Sequence, residues 1–401
     1  MAKVAIMGFG TVGSGVYEII KTNAAKLQQN ADDTVELKYI LDIRDFPDHP
    51  QKELFTKDFN DILNDEEVTV VAEVMGGLHP AYEFTKSLLL QGKSVVTSNK
   101  ELVATYGTEL LEIAREKNVN YMFEASVGGG IPVIRPMHQC LTANNITKIA
   151  GILNGTTNYI LYQMIANGKD FETALKNAQD NGYAERNPAA DIEGHDACRK
   201  IAILASLASR KAVDYNDIPT EGIVNITLDD VKYADKLNSV IKLIGYAEFI
   251  GDKVYSIVAP MLIKKSDPLS GVNDVFNAIK VTGDCVGDVM FYGAGAGKLP
   301  TASAVVADIV DSVKHKVRSK KFTWYKIDTD IMADKDAKKF AYFVRTNDTL
   351  ENAKKVFGEI CVADSIVDGE TAFVTQPLTA SEVEAKSKEL KNTLKYIRVL
   401  D

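Results

Sequence analysis

Six residues near the start of the chain, Gly8-Phe9-Gly10-Thr11-Val12-Gly13, limit the fold more than any others. They follow directly on a short apolar run at 3–7 and lead into helical periodicity from Val16 to about Leu27. A buried strand, a glycine turn and a helix in that order open a parallel nucleotide-binding sheet. Glycines let the backbone approach a pyrophosphate, which then sits at the positive end of the helix. Gly8, Gly10, Thr11, Val12 and Gly13 are therefore candidate cofactor contacts. Further apolar runs stand at 35–42, 68–74, 94–97 and 119–124, with helical patterns at 81–91 and 101–117 between them. Strands alternating with helices predict a parallel sheet covered on both faces.

The texture changes after Ser126-Val127-Gly128-Gly129-Gly130-Ile131-Pro132. A strand-like run at 145–153 leads into Gly155-Thr156-Thr157-Asn158-Tyr159, and three helical patterns follow, the third over about 192–209. Residues 240–264 read as strand, turn at Gly251-Asp252, strand, and 278–282 and 289–292 as two more strands. This is a second, α+β domain. A glycine loop at 293–297 precedes a helix from Pro300 to about residue 316. Residues 317–321 are basic and polar, as in a linker. The rest reads β–α–β–β–α–β, with strands at 341–345, 360–367, 371–375 and 396–399 and helices at 350–357 and 380–392, a ferredoxin-like order. The expected division is 1–130 (completed by a helix at 300–317), 131–299 and 322–401.

Composition excludes several classes of function. A formal net charge of -9 argues against nucleic acid or an anionic membrane as the main partner. No apolar run reaches the roughly 18 residues of a membrane span. The N-terminus enters a strand at once, unlike a signal or transit peptide. Cys140, Cys198, Cys285 and Cys361 are scattered without metal-ligand spacing, which fits core packing in a reducing cytoplasm.

The chemistry concentrates at 182–200. Asp196 and Lys200 stand four residues apart at the start of a very apolar helix, so both project from one face, and Glu185 and Asp191 lie in the loop before it. The plain alternative is a surface ion pair. The apolar run Ile201-Ala202-Ile203-Leu204-Ala205 argues instead for burial, and buried carboxylates with a lysine mark functional sites. Lys100, in Thr97-Ser98-Asn99-Lys100 after a strand, is placed where open parallel sheets bind ligands. Either it reaches the nicotinamide and the substrate or it is a solvated loop lysine. Asp42, ending the second strand, favours NAD through the ribose hydroxyls. Arg44 would pair with an NADP phosphate, and the reading leans to NADP. Glu124 with the bend at Val127, Gly129 and Ile131 offers a carboxylate and backbone carbonyls to a hard cation. Gly297 belongs to a loop that either closes over the nicotinamide or serves as a hinge. His79 is expected to be a turn residue.

Taken together, these motifs resemble homoserine dehydrogenase. The matching pieces are Gly8-x-Gly10-x-x-Gly13, Asn99-Lys100, 124–132, 151–160, 182–185, 191–200 and 293–302, in the family's order over about 320 residues. The last 80 or so resemble an ACT regulatory domain, with Asn347-Asp348-Thr349-Leu350 where a Pro-Gly is usual. The resemblance implies a Rossmann domain, an α+β catalytic and dimerisation domain, and a C-terminal ferredoxin-like ACT domain. It implies NAD(P)-dependent interconversion of L-homoserine and L-aspartate 4-semialdehyde, a step toward threonine, isoleucine and methionine. By position, Lys200 would be the proton donor in reduction and Lys100 would contact the nicotinamide side and the reacting oxygen. Glu185, Asp196, Asp191 and Thr156 would hold the substrate, and Gly182 and Glu185 would border the nicotinamide. Glu124 with the carbonyls of Val127, Gly129 and Ile131 would bind a monovalent cation, Na+ or K+. A homodimer or higher homo-oligomer and an amino-acid effector at the ACT-like segment are also implied. Two other classes compete. Aspartate-semialdehyde dehydrogenase needs a thiol nucleophile, and no cysteine here has a supporting motif. A nucleotide-binding regulator would lack a catalytic group, yet Lys100, Glu185, Asp196 and Lys200 are all present.

Overall fold

The computed structural model describes residues 1–316, 322–326 and 330–400. The chain groups into two compact units. One comprises 1–145, 202–215 and 291–329, the other 146–201, 216–290 and 330–401. The basic stretch 317–321, read as a linker, lies outside the described residues.

The first unit opens with β1 (Ala2–Met7), α1 (Thr11–Thr22), α2 (Ala24–Ala31), β2 (Val35–Leu41), β3 (Phe55–Thr56) and α3 (Phe59–Leu63). It continues with β4 (Val68–Glu73), α4 (Ala81–Leu90), β5 (Ser94–Thr97), α5 (Lys100–Lys117) and β6 (Tyr121–Met122). The strands form one parallel sheet in the order β3-β2-β1-β4-β5-β6, the doubly wound arrangement. Val4, Ala5, Ile6 and Met7 are fully buried, as are Val71, Ala72, Val95 and Val96. Such unbroken apolar runs belong to strands covered on both faces. The helix read as one piece over 16–27 is two, because the polar run Lys21-Thr22-Asn23 ends α1 and Asn23 leaves helical geometry at φ -109°, ψ 19°. The strand expected over 119–124 shrinks to β6, because Phe123 leaves the sheet and Glu124 turns into a short 3-10 helix.

The second half of the chain supplies β7 (Ile146–Ile152), α6 (Gly155–Asn167), α7 (Phe171–Asp180), α8 (Ala189–Ile192), α9 (His195–Ser209) and α10 (Leu228–Lys236). Then come β8 (Ser239–Ile250), β9 (Lys253–Lys264), β10 (Phe276–Gly283), β11 (Gly287–Ala294) and α11 (Lys298–Lys314). The chain ends with β12 (Tyr342–Thr346), α12 (Leu350–Phe357), β13 (Ile360–Val362), β14 (Thr371–Thr375), α13 (Ala380–Glu389) and β15 (Thr393–Val399). The C-terminal strands are ordered β15-β12-β14-β13 and antiparallel, as the ferredoxin-like reading expects. They do not form a sheet of their own. Arg398 and Val399 of β15 pair in parallel with Met261 and Leu262 of β9, giving a nine-stranded sheet. One apolar core joins Ile152, Tyr246, Ile257 and Met261 to Phe340, Tyr342, Phe357, Phe373 and Val383. The C-terminal elements thus share one core with β7, β8 and β9.

Candidate active site

In the first unit the glycine turn between β1 and α1 is tightly packed at two positions and open at a third. Gly8 has φ +97°, and a Cβ on Gly13 would lie 1.9 Å from the Gly8 carbonyl oxygen, so neither position tolerates a side chain. A Cβ on Gly10 would meet nothing within 4 Å, which leaves room beside the cap of α1. No acidic residue stands in the first turn of α1, so its positive end is not neutralised locally. Thr11 and Val12 are the first two residues of that helix.

Asp42 and Arg44, read as competing selectors of the 2′ position, are bonded to each other. Arg44 Nε and Nη2 donate to Asp42 Oδ1 and Oδ2, both at 2.9 Å, and Nη2 also donates to the Phe9 carbonyl at 2.9 Å. The Phe9 N–H donates to Asp42 Oδ2 at 2.7 Å. The Arg44 guanidinium, with help from these N–H groups, holds the Asp42 carboxyl down at about 2.

A buried polar network that the sequence reading missed lies at the C-terminal ends of β4 and β5. Thr97 Oγ1 donates to Glu73 Oε2 at 2.6 Å, and the Met75 N–H donates to Glu73 Oε1 at 2.9 Å. Asn99 caps α5 through the Leu102 N–H and donates its amide to the Gly77 carbonyl at 2.6 Å. Burial pushes the Glu73 carboxyl above its ordinary range. An acid closing an otherwise apolar strand was the available signal. Lys100 follows directly as the first residue of α5. A cation there opposes the helix dipole, a local cost that proteins accept at functional positions. His79 is exposed and pairs with Glu83, as a turn residue would.

Before the bend at 127–131, the Glu124 carboxylate is 1% exposed and is occupied by N–H donors. Oε1 accepts from Val133 N at 2.6 Å and Ile134 N at 2.7 Å, and Oε2 from Arg135 N at 2.9 Å and Arg135 Nε at 3.0 Å. These bonds anchor the chain beyond the bend through the Glu124 side chain. The bend packs against the second glycine loop, since Gly130 N donates to Ala294 O at 3.1 Å and a Cβ on Gly129 would sit 2.4 Å from Gly295 O. Gly297 caps α11 at φ +124°. Asp308 of α11 is buried beside Glu124 and Arg135, and desolvation pushes its carboxyl up to about 8.

In the second unit Lys200 is buried, with its side chain 9% exposed. Its Nζ donates to Asp196 Oδ2 at 2.8 Å and to the Leu153 carbonyl, just past β7, at 2.7 Å. The helical spacing places the two side chains on one face, and Asp196 suits the first turn of α9. Asn154 donates its amide to Asp191 Oδ1 at 2.7 Å and to Asp196 Oδ2 at 2.9 Å. Thr156 Oγ1 donates to the Tyr183 carbonyl at 2.7 Å, tying α6 to the loop that carries Gly182 and Glu185. Gly182 takes φ +73°, and both Gly182 and Glu185 are exposed. Asp191, Asp196 and Lys200 thus meet at Leu153 and Asn154, while Thr156 bonds to the Tyr183 carbonyl. A charged pair held away from water beside an open, acid-bearing loop can bind an ammonium group and exchange a proton.

Residues 8–124 match the family model described as homoserine dehydrogenase, NAD binding domain, and 132–310 match homoserine dehydrogenase. The chain belongs to the homoserine dehydrogenase family. A homoserine dehydrogenase of Bacillus subtilis (strain 168) is 43% identical over 317 residues, covering 78% of this chain and 73% of the relative. The structure of one from Thiobacillus denitrificans superposes with TM-score 0.91 at 34% identity, over 100% of this chain and 98% of that one. A hyperthermophilic archaeal homoserine dehydrogenase in complex with NADPH superposes with TM-score 0.65 at 27% identity, over 78% of this chain and 97% of that one. The activity is therefore NAD(P)-dependent oxidoreduction at the CH–OH group of L-homoserine, interconverting it with L-aspartate 4-semialdehyde. This reaction serves threonine, methionine and isoleucine biosynthesis. Among the described residues no helix is long and apolar enough to cross a membrane.

Proposed function

We propose that Lys200 is the proton donor to the semialdehyde carbonyl oxygen and, as a neutral amine, the base that takes the hydroxyl proton of homoserine. A nicotinamide bound by the first unit would supply or accept the hydride. Hydride arrival leaves an alkoxide, which needs a proton and nearby positive charge, and a lysine gives both. The observation that carries this reading is the burial of the Lys200 ammonium between Asp196 and the Leu153 carbonyl. Asp196 and Glu185 hold the polar ends of the substrate, and Asp191 adds negative charge for its ammonium. Thr156 acts by fixing the 182–185 loop and offers its hydroxyl oxygen as an acceptor. Gly182 and Glu185 border the nicotinamide, and Gly8, Gly10, Thr11, Val12 and Gly13 hold the pyrophosphate. Lys100 serves the nicotinamide side and the reacting oxygen, and Gly297 gives its loop the freedom to close.

The preferred cofactor is NADP, with Arg44 leaving Asp42 for the 2′-phosphate. A monovalent cation is held by the carbonyls of Val127, Gly129 and Ile131, with Glu124 fixing the adjoining backbone. The protein is a cytoplasmic homodimer, a reading supported by four cysteines outside any disulfide and by exposed Phe276, Val286 and Met290 near the β10–β11 edge. Residues 322–401 form a regulatory module that senses threonine or another amino acid, supported by their strand order. Unchanged activity and thermal stability across millimolar amino acids would remove that role. The catalytic assignment is tested by pH–rate profiles of semialdehyde reduction for Lys200→Ala and Lys100→Ala. Near-normal turnover by Lys200→Ala would defeat it.

A further inference from the structure

Two carboxylates and one lysine are held around the junction of β7 and α6, and one side chain meets both carboxylates. Asn154 is 6% exposed and saturated. Its Oδ1 accepts from Thr157 N at 2.8 Å and Thr157 Oγ1 at 3.1 Å, capping α6. Its Nδ2 donates to Asp191 Oδ1 at 2.7 Å and to Asp196 Oδ2 at 2.9 Å. A carboxamide offers two donors on one nitrogen and an acceptor opposite, and here each faces a partner of the right kind. Asp196 Oδ2 is the same oxygen that receives the Lys200 ammonium at 2.8 Å. The preceding residue, Leu153, accepts a further bond from the Lys200 ammonium through its carbonyl at 2.7 Å. Residues 153 and 154 therefore grip both halves of the ion pair.

We propose that Asn154 is a positioning residue for the reaction. It ties two carboxylates to one neutral amide and fixes the Asp196 oxygen that orients the Lys200 ammonium. This inference rests on Lys200 as proton donor. Donation to Asp196 Oδ2 spreads its charge between two donors, so Lys200 is held without being locked to its counter-ion. A serine at 154 still caps α6 but cannot donate to two carboxylates. An aspartate caps equally well but sets a third negative charge between Asp191 and Asp196. These two variants separate capping from positioning, which Asn154→Ala does not.

The test uses the full chain, with purified wild type, Asn154→Ser, Asn154→Asp and Lys200→Ala compared in semialdehyde reduction. The expected result for Asn154→Ser is a melting temperature near wild type, a kcat lowered about ten- to a hundredfold, and a KM for reduced cofactor within about twofold. Asn154→Asp is expected to lose more kcat with the same cofactor KM. Wild-type kcat in both variants would overturn the proposal and leave Asn154 a helix cap. Loss of activity in Lys200→Ala with normal Asn154 variants would sink only this inference. Full activity in Lys200→Ala would sink the proton-donor reading and this inference with it.

Discussion

Glu124→Gln replaces a buried carboxylate that accepts four hydrogen bonds, two from backbone N–H groups at Val133 and Ile134 and two from Arg135. Glutamine keeps one oxygen for the first pair. Its NH2 group then faces the Arg135 N–H and Nε–H, donor against donor. Each charge-assisted bond contributes about 1.5–3 kcal/mol, and breaking one partner of a buried pair costs about 3–5 kcal/mol. The Arg135 side chain is 23% exposed, so water offsets part of the loss. We expect a destabilisation of about 3–5 kcal/mol, a large share of the roughly 5–15 kcal/mol that holds a domain together. Urea unfolding at neutral pH reads this as a lowered midpoint. The penalty should be equal in sodium, potassium and choline chloride at one ionic strength, since the carboxylate serves N–H groups and not a cation. A change below about 1 kcal/mol, or a penalty present only in sodium or potassium, would refute the reasoning.

Three further expectations rest on other parts of the molecule. Arg44→Ala should raise the KM for NADPH about tenfold and leave that for NADH within about twofold, as the loss of an exposed phosphate contact implies; equal effects on both would remove Arg44 as selector. Lys242 is 1% exposed, its ammonium bonded to Asn158 Oδ1 and the Val272 carbonyl, and desolvation lowers its pKa to about 8. Between about pH 8 and 10.4 the unfolded chain keeps a proton that the folded one has lost, so stability relative to Lys242→Met should rise by about 2 kcal/mol from pH 7 to 10, and a flat difference in chemical denaturation would contradict this. Arg345→Met should cost about 3–5 kcal/mol by stranding Asp230 and Glu370, with Arg345→Lys recovering only part, because lysine lacks the fork that grips Glu370 through two nitrogens; thermal melts near wild type would argue against it.

The parallel sheet was legible because its central strands carry apolar runs at 4–7, 70–72 and 95–96 and its first turn needs glycine at 8 and 13. The Asp196–Lys200 pair was legible because helical spacing alone puts the two on one face. The N–H partners of Glu124 were not legible: sequence displays a carboxylate, not the direction of the N–H groups at 133–135 that fold back onto it. Glu73 and Asn154 were missed because their partners come from other segments, a separation that local pattern does not encode. Helix α10 announced itself through Thr227-Leu228-Asp229-Asp230, which forms a capping box, and that signal was overlooked. The joining of β15 to β9 was invisible, because only two residues of each strand pair. Nothing in the alternation of either strand marks which neighbour it will meet.

Single-turnover oxidation of NAD(P)H by L-aspartate 4-semialdehyde, followed by stopped flow in wild type and Lys200→Met, isolates the chemical step from substrate supply and product release. Loss of a general acid should slow that step by about 100- to 10,000-fold while reduced-cofactor affinity stays near wild type. Hydride transfer in Lys200→Met within a few fold of wild type would contradict the account.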